Sequence, residues 1–363
     1  MNNKKVLLGM SGGVDSSVSA ILLQQQGYEV IGATMQLLEE NDEISLDAKK
    51  VCDKLGIKHY VLDFRGEFKN CVINNFINTY ENAKTPNPCI ECNKYLKFGC
   101  FYQKACELGC DYIATGHYAK VEFDEKYNSM VIKKSDSNKK DQSYMLYNIP
   151  KEIIAKIIFP LSNFNDKDEI RKIAEEHGLE IAHKPDSQDI CFIPDNDYAK
   201  FLLKYIKTKP GNIVHKNGEI LGKHNGLIHY TVGQRKGLGI AYPTPLYVIE
   251  LNKNKNEVVV GDERDIYTNT LYANELNYTL NIDLSKPIEI KAKVRYSAKE
   301  QDAILYNDFE EKTAKIEFRE PQRAITPRTI SSLLSKWYSF AVVEKYYKLQ
   351  KKERKIWWKT IKE

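Results

Sequence analysis

Through the first 117 residues, short continuous apolar runs alternate with stretches whose apolar residues recur three or four positions apart. Val6-Leu7-Leu8-Gly9 is the first such run. Val14, Val18, Ile21 and Leu22 then follow at helical spacing as far as Gly27, a residue type that ends helices by accepting a left-handed backbone. Glu29–Thr34 reads as a second strand, Leu46–Leu55 as a helix closed by Gly56, His59–Phe64 as a third strand and Phe68–Tyr80 as a helix. A further helix is predicted over 94–108 and a strand over Asp111–Thr115. Strands separated by helices pair in parallel and are covered on both faces. Ligands of such sheets bind beyond the carboxyl ends of the strands.

The pattern then changes. A hairpin is expected over 120–134, and helices over 143–148 and 166–177, the latter capped by Asn165 or Asp166 and ended by Gly178. After Lys209-Pro210-Gly211 come short strands with turn signals at Lys216-Asn217-Gly218, His224-Asn225-Gly226 and Asn252–Asn256. Alternation in Ile288–Tyr296 and Ala314–Phe318 predicts a small barrel. The fold class is therefore α/β: an N-terminal parallel sheet with helices on both faces, a small central mostly-β domain and a C-terminal β-barrel. The predicted boundaries are 1–205, 206–264 and 265–327, with 328–363 set apart.

Charge explains that last division. The chain carries +5, yet ten Lys or Arg against three Asp or Glu give +7 after Pro327, which leaves −2 for residues 1–327. All three tryptophans (Trp337, Trp357, Trp358) also lie in the tail. The body is not a basic protein, so any nucleic-acid contact must come from local patches. Two readings of the tail stand: a reading-frame change near residue 328 that leaves the barrel with an open edge, or a basic amphipathic helix. No apolar run approaches the ~18 residues of a membrane span, and the expected location is the cytoplasm, with no membrane partner. All eight cysteines fall between Cys52 and Cys191. That clustering excludes a disulfide scaffold spread through the body and points to thiol chemistry or metal ligation. Cys100, Cys106 and Cys110 fit small buried hydrophobes.

Three segments carry candidate chemistry. Ser11-Gly12-Gly13-Val14-Asp15-Ser16-Ser17 joins a buried strand to a helix. Its glycines permit a tight turn, its hydroxyls and amides suit an anion, and the helix N-terminus adds a favourable dipole. It lacks the Lys of a Walker loop, which suits pyrophosphate binding and cleavage between the α- and β-phosphates. In Thr85-Pro86-Asn87-Pro88-Cys89-Ile90-Glu91-Cys92-Asn93-Lys94, a proline-stiffened loop places cysteines at a helix start beside Lys94 and Lys97. A lowered thiol pKa is expected there, with half of a zinc site as the alternative. Pro185-Asp186-Ser187-Gln188-Asp189-Ile190-Cys191-Phe192-Ile193 holds a cysteine that is either packed in the core or presented by a polar turn.

Together these segments resemble the tRNA-specific 2-thiouridylase family. So do Ala114-Thr115-Gly116-His117-Tyr118-Ala119, Lys140-Asp141-Gln142-Ser143-Tyr144, His229–Gly237 and Pro321–Pro327, and the resemblance covers residues 4–327. It implies a PP-loop fold of the adenine nucleotide α-hydrolase type. It assigns ATP contacts to Gly9, Met10, Ser11, Gly12, Gly13, Val14, Asp15, Ser16, Met35 and Gly116, with Asp15 or a nearby carboxylate helping to hold Mg2+ on the phosphates. The family adenylates the C2 oxygen of the tRNA wobble uridine in Lys, Glu and Gln isoacceptors, releasing pyrophosphate. Its sulfur comes from a cysteine desulfurase or a sulfur-relay protein. Cys191 matches the persulfide carrier and Cys92 its partner nucleophile. Either the persulfide attacks C2 and Cys92 resolves the bond as a Cys92–Cys191 disulfide, or Cys92 first releases sulfide.

Cys89 departs from the family's Asp, which opens a further alternative: a [4Fe–4S] cluster on Cys89, Cys92 and Cys191. The resemblance places Asn87, Pro88 and Cys89 against the target base and implies tRNA contacts for His117, Lys140, Asp141, Gln142, Arg295 and Tyr296. Where family members continue Thr-Pro-Gly-Gln into a last strand, this chain has Arg328-Thr329-Ile330. Two rival functions remain at this level. One is a PP-loop ligase that uses the same adenylate with structural cysteines, the other an RNA-binding remnant impaired by its tail.

Overall fold

The computed structural model describes residues 4–39, 42–136, 140–184, 190–193, 195–274 and 276–325, together with the backbone of strands within 331–346. The Asp186–Asp189 turn, Pro327 and the tail's three tryptophans lie outside the described residues.

The N-terminal sheet is built from β1 (Lys5–Gly9), β2 (Glu29–Gln36), β3 (Lys58–Asp63) and β4 (Tyr112–Ala114). A hairpin of β5 (Ala119–Asp124) and β6 (Ser129–Lys134) leaves this sheet, and β7 (Ile157–Ile158) returns to it. Its order is β3-β2-β1-β4-β7, parallel throughout. The strands are apolar on both sides because both sides are covered. Leu7, Ala33 and Ile113 pack with Phe68, Phe76, Leu96 and Phe98. Leu8, Val30 and Ala114 pack instead with Val18, Ile21, Val51 and Ile170. Helix α1 (Val14–Gln25) follows β1, and α2 (Asp42–Leu55) begins four residues before the Leu46 expected from periodicity.

Two helices differ from expectation in kind. The one expected over Phe68–Tyr80 starts at Arg65 and widens to a π-helix at Lys69–Ile73. The one expected over 94–108 starts at Pro88, and its Cys92–Cys100 portion is a π-helix too. The helix expected at 143–148 is a single 3-10 turn, Ser143–Met145. There the amides of Met145 and Leu146 donate to carbonyls three residues back, at 2.8 and 3.0 Å. The helix Lys167–Glu176 begins where Asp166 accepts from the Asp168 amide (3.1 Å) and ends before Gly178, whose φ of 63° is left-handed.

The central unit is a four-stranded sheet, β8 (Gly211–His215), β9 (Ile220–His224), β10 (Tyr247–Asn252) and β11 (Glu257–Gly261), around Ile213, Val248, Val258 and Val260. The last unit, β12 (Tyr267–Asn274), β13 (Ile288–Lys293), β14 (Gln301–Asp308) and β15 (Thr313–Arg323), is antiparallel around Leu271, Ile290, Leu305, Ile316 and Phe318.

The open barrel edge and the tail helix expected after Pro327 need correction. Backbone at β16 (Ser331–Ser335) pairs with β13 and with β17 (Tyr338–Val343), and β18 (Lys345–Tyr346) pairs with β12. An unpaired strand edge exposes a row of amides and carbonyls that any extended neighbour can satisfy. Among the described residues, no helix is long and apolar enough to cross a membrane.

Candidate active site

The loop between β1 and α1 lies at the carboxyl edge of the parallel sheet, and its own hydrogen bonds hold it open. The Ser11 amide donates to Ser16 Oγ (3.2 Å), and the two hydroxyls lie 3.2 Å apart. Ser16 and Ser17 hydroxyls donate to the Gly13 carbonyl at 3.1 and 2.9 Å. Gly12 has φ +65°, and a Cβ there would stand 2.9 Å from the Ile44 carbonyl, so no other residue fits. Gly116 follows β4 and lies against the start of α1, where an added Cβ would be 3.1 Å from Asp15 and Ser16 backbone atoms. Met35, at the end of β2, brings its Cε within 3.4 Å of a Cβ placed on Gly9. The cradle therefore presents Ser11, Gly12 and Gly13 at a helix N-terminus, with Gly9, Met35 and Gly116 around it.

Asp15 has partners on both carboxylate oxygens. Tyr118 donates to one of its carboxylate oxygens (2.9 Å) and the Lys167 ammonium to the other (3.0 Å). Lys167 comes from a helix 152 residues away, so this neutralisation had no local signal.

The thiols come from two elements. Cys89 and Cys92 sit at the start of the helix opened by Pro88, where Cys89 is exposed and Cys92 buried. Cys191 is exposed at the tip of a turn closed by the Ile193 amide donating to the Ile190 carbonyl (2.8 Å). Phe192 and Ile193 anchor that turn in the core, with the Phe192 ring 5.7 Å from Phe68 and 5.3 Å from both Phe76 and Phe201. The open sequence question is thus decided: Phe192 is the core residue and Cys191 is presented.

Burial raises the Cys92 thiol above its ordinary value, while Lys97 pulls it down and Cys89 pushes it up. The lowered pKa expected from the helix start is reversed, because removing the thiolate from water outweighs the nearby ammonium. Cys191 is pushed up to about 12, first by the atoms packed around its sulfur and then by Cys92 and Cys89. Its residue surface is exposed while its sulfur is crowded, and the second governs ionisation. These mutual effects place the three thiols in one another's fields. Among the described residues no group of three His, Cys, Asp or Glu is arranged to hold a metal ion, so the geometry does not favour the [4Fe–4S] or zinc alternatives.

His117 connects the two halves. Its Nδ1 lies 2.7 Å from the Thr115 hydroxyl and its Nε2 3.4 Å from Lys97 Nζ. Burial, then Lys97, hold it well below the usual imidazole range, so the ring is neutral. Gly116, its chain neighbour, touches the nucleotide-type loop, while Lys97 acts on Cys92 and Cys191. Loop and thiols therefore share one end of the sheet.

Other expected residues divide. Asn87 donates to the Met145 sulfur (3.7 Å), and Asn93 to the Met145 carbonyl (2.8 Å), holding the Pro88 segment against the Ser143 turn. Gln142 accepts from the Tyr118 amide (3.0 Å), and Asp141 accepts from the Ser143 hydroxyl (2.8 Å) and the Ser135 amide (3.1 Å). Burial raises the Asp141 carboxyl. Tyr296 reaches across from the barrel to donate to the Asp141 carbonyl (3.4 Å), with the Tyr144 ring 6.0 Å away. Lys140 adjoins this group in the chain. Arg295 stands apart: it donates to the carbonyls of Val232 (3.3 Å) and Ala324, clamping barrel to central unit. Sequence reasoning missed Met145 and Lys167, which carry no local signature, and gave no role to Thr115 and Tyr118 within the Ala114–Ala119 motif.

Comparison with known proteins follows the same division of the chain. The family model "tRNA methyl transferase HUP domain" matches residues 4–195, "tRNA methyl transferase PRC-barrel domain" 199–262, and "Aminomethyltransferase beta-barrel domain" 268–328. A tRNA-specific 2-thiouridylase MnmA of Clostridioides difficile is 48% identical over 337 residues, covering 89% of this chain and 93% of that relative. Another, from Acetivibrio thermocellus, is 49% identical over 342 residues, covering 90% and 95%. The chain belongs to the tRNA-specific 2-thiouridylase family. Among solved structures, a 4-thiouridine synthetase–RNA complex with bound ATP is similar over 55% of this chain and 50% of that one, at 17% identity and a TM-score of 0.36. As a 2-thiouridylase family member, the chain carries cysteines at 89, 92 and 191. The last family-model match ends at 328, where the chain's composition also changes.

Proposed function

We propose that this chain is a cytoplasmic tRNA-uridine 2-sulfurtransferase that uses ATP to exchange the C2 oxygen of the wobble uridine for sulfur. The observation that carries this reading is the shared location of the Ser11–Ser16 cradle and the Cys92/Cys191 thiols, joined through Gly116, His117 and Lys97. The cradle's hydroxyls and amides would hold the pyrophosphate, with Mg2+ bound mainly by the phosphates. Met35 would pack against the adenine. ATP supplies an AMP group that turns the poor C2 oxygen into a good leaving group.

The remaining chemistry belongs to the thiols. Cys191, presented on its turn, would receive sulfane sulfur from a desulfurase or relay protein. Its terminal sulfur attacks C2 as AMP departs, and Cys92 then attacks Cys191 Sγ. The C2 thiocarbonyl is released, and the two protein sulfurs are left as a disulfide for an external thiol to reduce. Release of sulfide by Cys92 before attack is the second route. Asn87, Pro88 and Cys89 would face the extruded base, while Lys140, Asp141, Gln142, His117 and Tyr296 would line the approach of the anticodon stem-loop. We read Arg295 as holding the barrel in place for that contact. Lys, Glu and Gln isoacceptors are the expected substrates. We read residues 328–363 as the product of a changed frame; if no other frame after Pro327 encodes a Gly-Gln and a final strand, that reading fails.

The test is incubation with tRNA, ATP, Mg2+ and a persulfide donor, followed by nucleoside analysis. Formation of 2-thiouridine is expected. Pyrophosphate release without tRNA would favour the ligase reading, and tRNA binding without turnover the remnant. Gly12→Ala is expected to raise the KM for ATP in pyrophosphate release by about tenfold or more, since its φ and the Ile44 carbonyl both oppose a side chain. Thiolation should also climb through the alkaline range. Both thiols are raised, so each pH unit below their values costs about tenfold in thiolate. A rate flat between pH 7 and 9 would mean that no thiol ionisation limits the reaction.

A further inference from the structure

The Cys92–Cys100 π-helix has a geometric consequence for the thiols. In an α-helix, residues five apart lie about 140° apart around the axis, so Lys97 would turn away from Cys92. A π-helix, closed by i→i+5 bonds, brings position i+5 back nearly above position i. The Phe101 amide donating to the Leu96 carbonyl marks that wider bonding, and Gly99 allows it, since a Cβ there would press to 3.1 Å from the Lys94 carbonyl. The second π-helix, Lys69–Ile73, packs alongside.

Lys97 is half-buried, and its ammonium lies 3.4 Å from the neutral His117 ring. It forms no ion pair with a carboxylate among the described residues, whereas the partly buried Lys133 and Lys134 pair with Glu122 and Glu300. An ammonium held by a neutral imidazole keeps its whole charge available to whatever anion forms beside it.

We propose that Lys97 is a positioning residue whose ammonium, set above Cys92 by the π-turn and fixed by the Thr115–His117 pair, stabilises the Cys92 thiolate so that it can resolve the sulfur on Cys191. This rests on the sulfurtransferase reading for its purpose, though not for its measurement. The direction of Lys97's effect on both thiols, lowering each, agrees with it. His117 acts as the spacer: because Thr115 fixes one ring nitrogen, the other faces Lys97 and holds the ammonium without neutralising it. Lys94, three residues earlier, is excluded from this role, since its ammonium lies over the Tyr95 ring at 5.0 Å, on an exposed side.

The test is the pH profile of Cys92 alkylation by iodoacetamide, followed by peptide mass spectrometry on the full chain without tRNA or ATP. Lys97→Met is expected to move the profile upward by about one pH unit or more, a tenfold slower reaction on its acid side. Lys97→Arg should restore most of it, and Lys94→Met should leave it in place. An unchanged profile in Lys97→Met overturns the proposal. So does equal slowing in Lys94→Met, which points to a general charge effect. Should Lys97→Met not fold, Lys97→Gln keeps a polar contact to His117 while removing the charge, and the same shift is required of it. Alkylation needs no sulfur transfer, so a failed shift condemns the role of Lys97. A normal shift without 2-thiouridine formation condemns the sulfurtransferase reading instead.

Discussion

Cys92→Ser and Cys191→Ser each abolish 2-thiouridine formation, by at least about a thousandfold, while leaving ATP and tRNA binding close to their starting values. Removal of a covalent nucleophile costs that much or more in enzymes whose residues act as a unit. The double variant is expected to be no worse than either single one, because both thiols serve one transfer. The measurement is nucleoside analysis after single turnover, with filter binding of tRNA as the control. Cys89→Ser separates the readings of the third cysteine. Cys89 is an exposed residue and raises both other thiols, so its loss should leave activity or slightly raise it. A null Cys89→Ser phenotype as deep as that of Cys92→Ser would restore the metal-ligand alternative that the geometry disfavours.

The sequence made some of this site legible and hid the rest, for physical reasons. Ser11–Ser17 could be read because an anion loop between a buried strand and a helix needs glycine at a left-handed position and short hydroxyls, and few residue types meet that need. The parallel sheet could be read because strands covered on both faces are apolar on both faces. Cys191 could not be placed. Ile190 and Phe192 flank it, and apolar neighbours fit a core strand and an anchored turn equally well. Its environment is set by Phe68, Phe76 and Phe201, which the sequence scatters over 134 residues. The Lys167–Asp15 pair is similarly remote.

The sign of the Cys92 shift failed for another reason. A helix start and two lysines lower a thiol in water, but burial is a tertiary property that local sequence does not carry. The π-helix was illegible as well. Ile90, Leu96 and Phe98 are all buried, but their spacing of six and two residues carries no signal that distinguishes a wider turn from an α-helix. That concealment hides the one feature that sets Lys97 over the thiols.

Phe192→Ala tests whether the turn, rather than the thiol alone, makes Cys191 competent. The ring contacts three other aromatic rings and is buried, so its loss is expected to destabilise the chain by about 3–5 kcal/mol in denaturant unfolding. Phe192→Leu, which keeps most of the volume, should cost less. The second consequence runs the other way. Packing holds the Cys191 thiol at about 12. A loosened turn lets water reach the sulfur, its pKa falls toward the ordinary ~8.5, and alkylation of Cys191 at neutral pH becomes faster. Thiolation should fall nonetheless, because a sulfur that is easier to ionise is no longer held beside Cys92 and the nucleotide loop, and misplacement by about 1 Å can cost a hundredfold. Faster alkylation with slower transfer is the signature of an anchor. If both rates fell together, global unfolding would explain the variant, and if both rose, ionisation rather than placement would limit the enzyme.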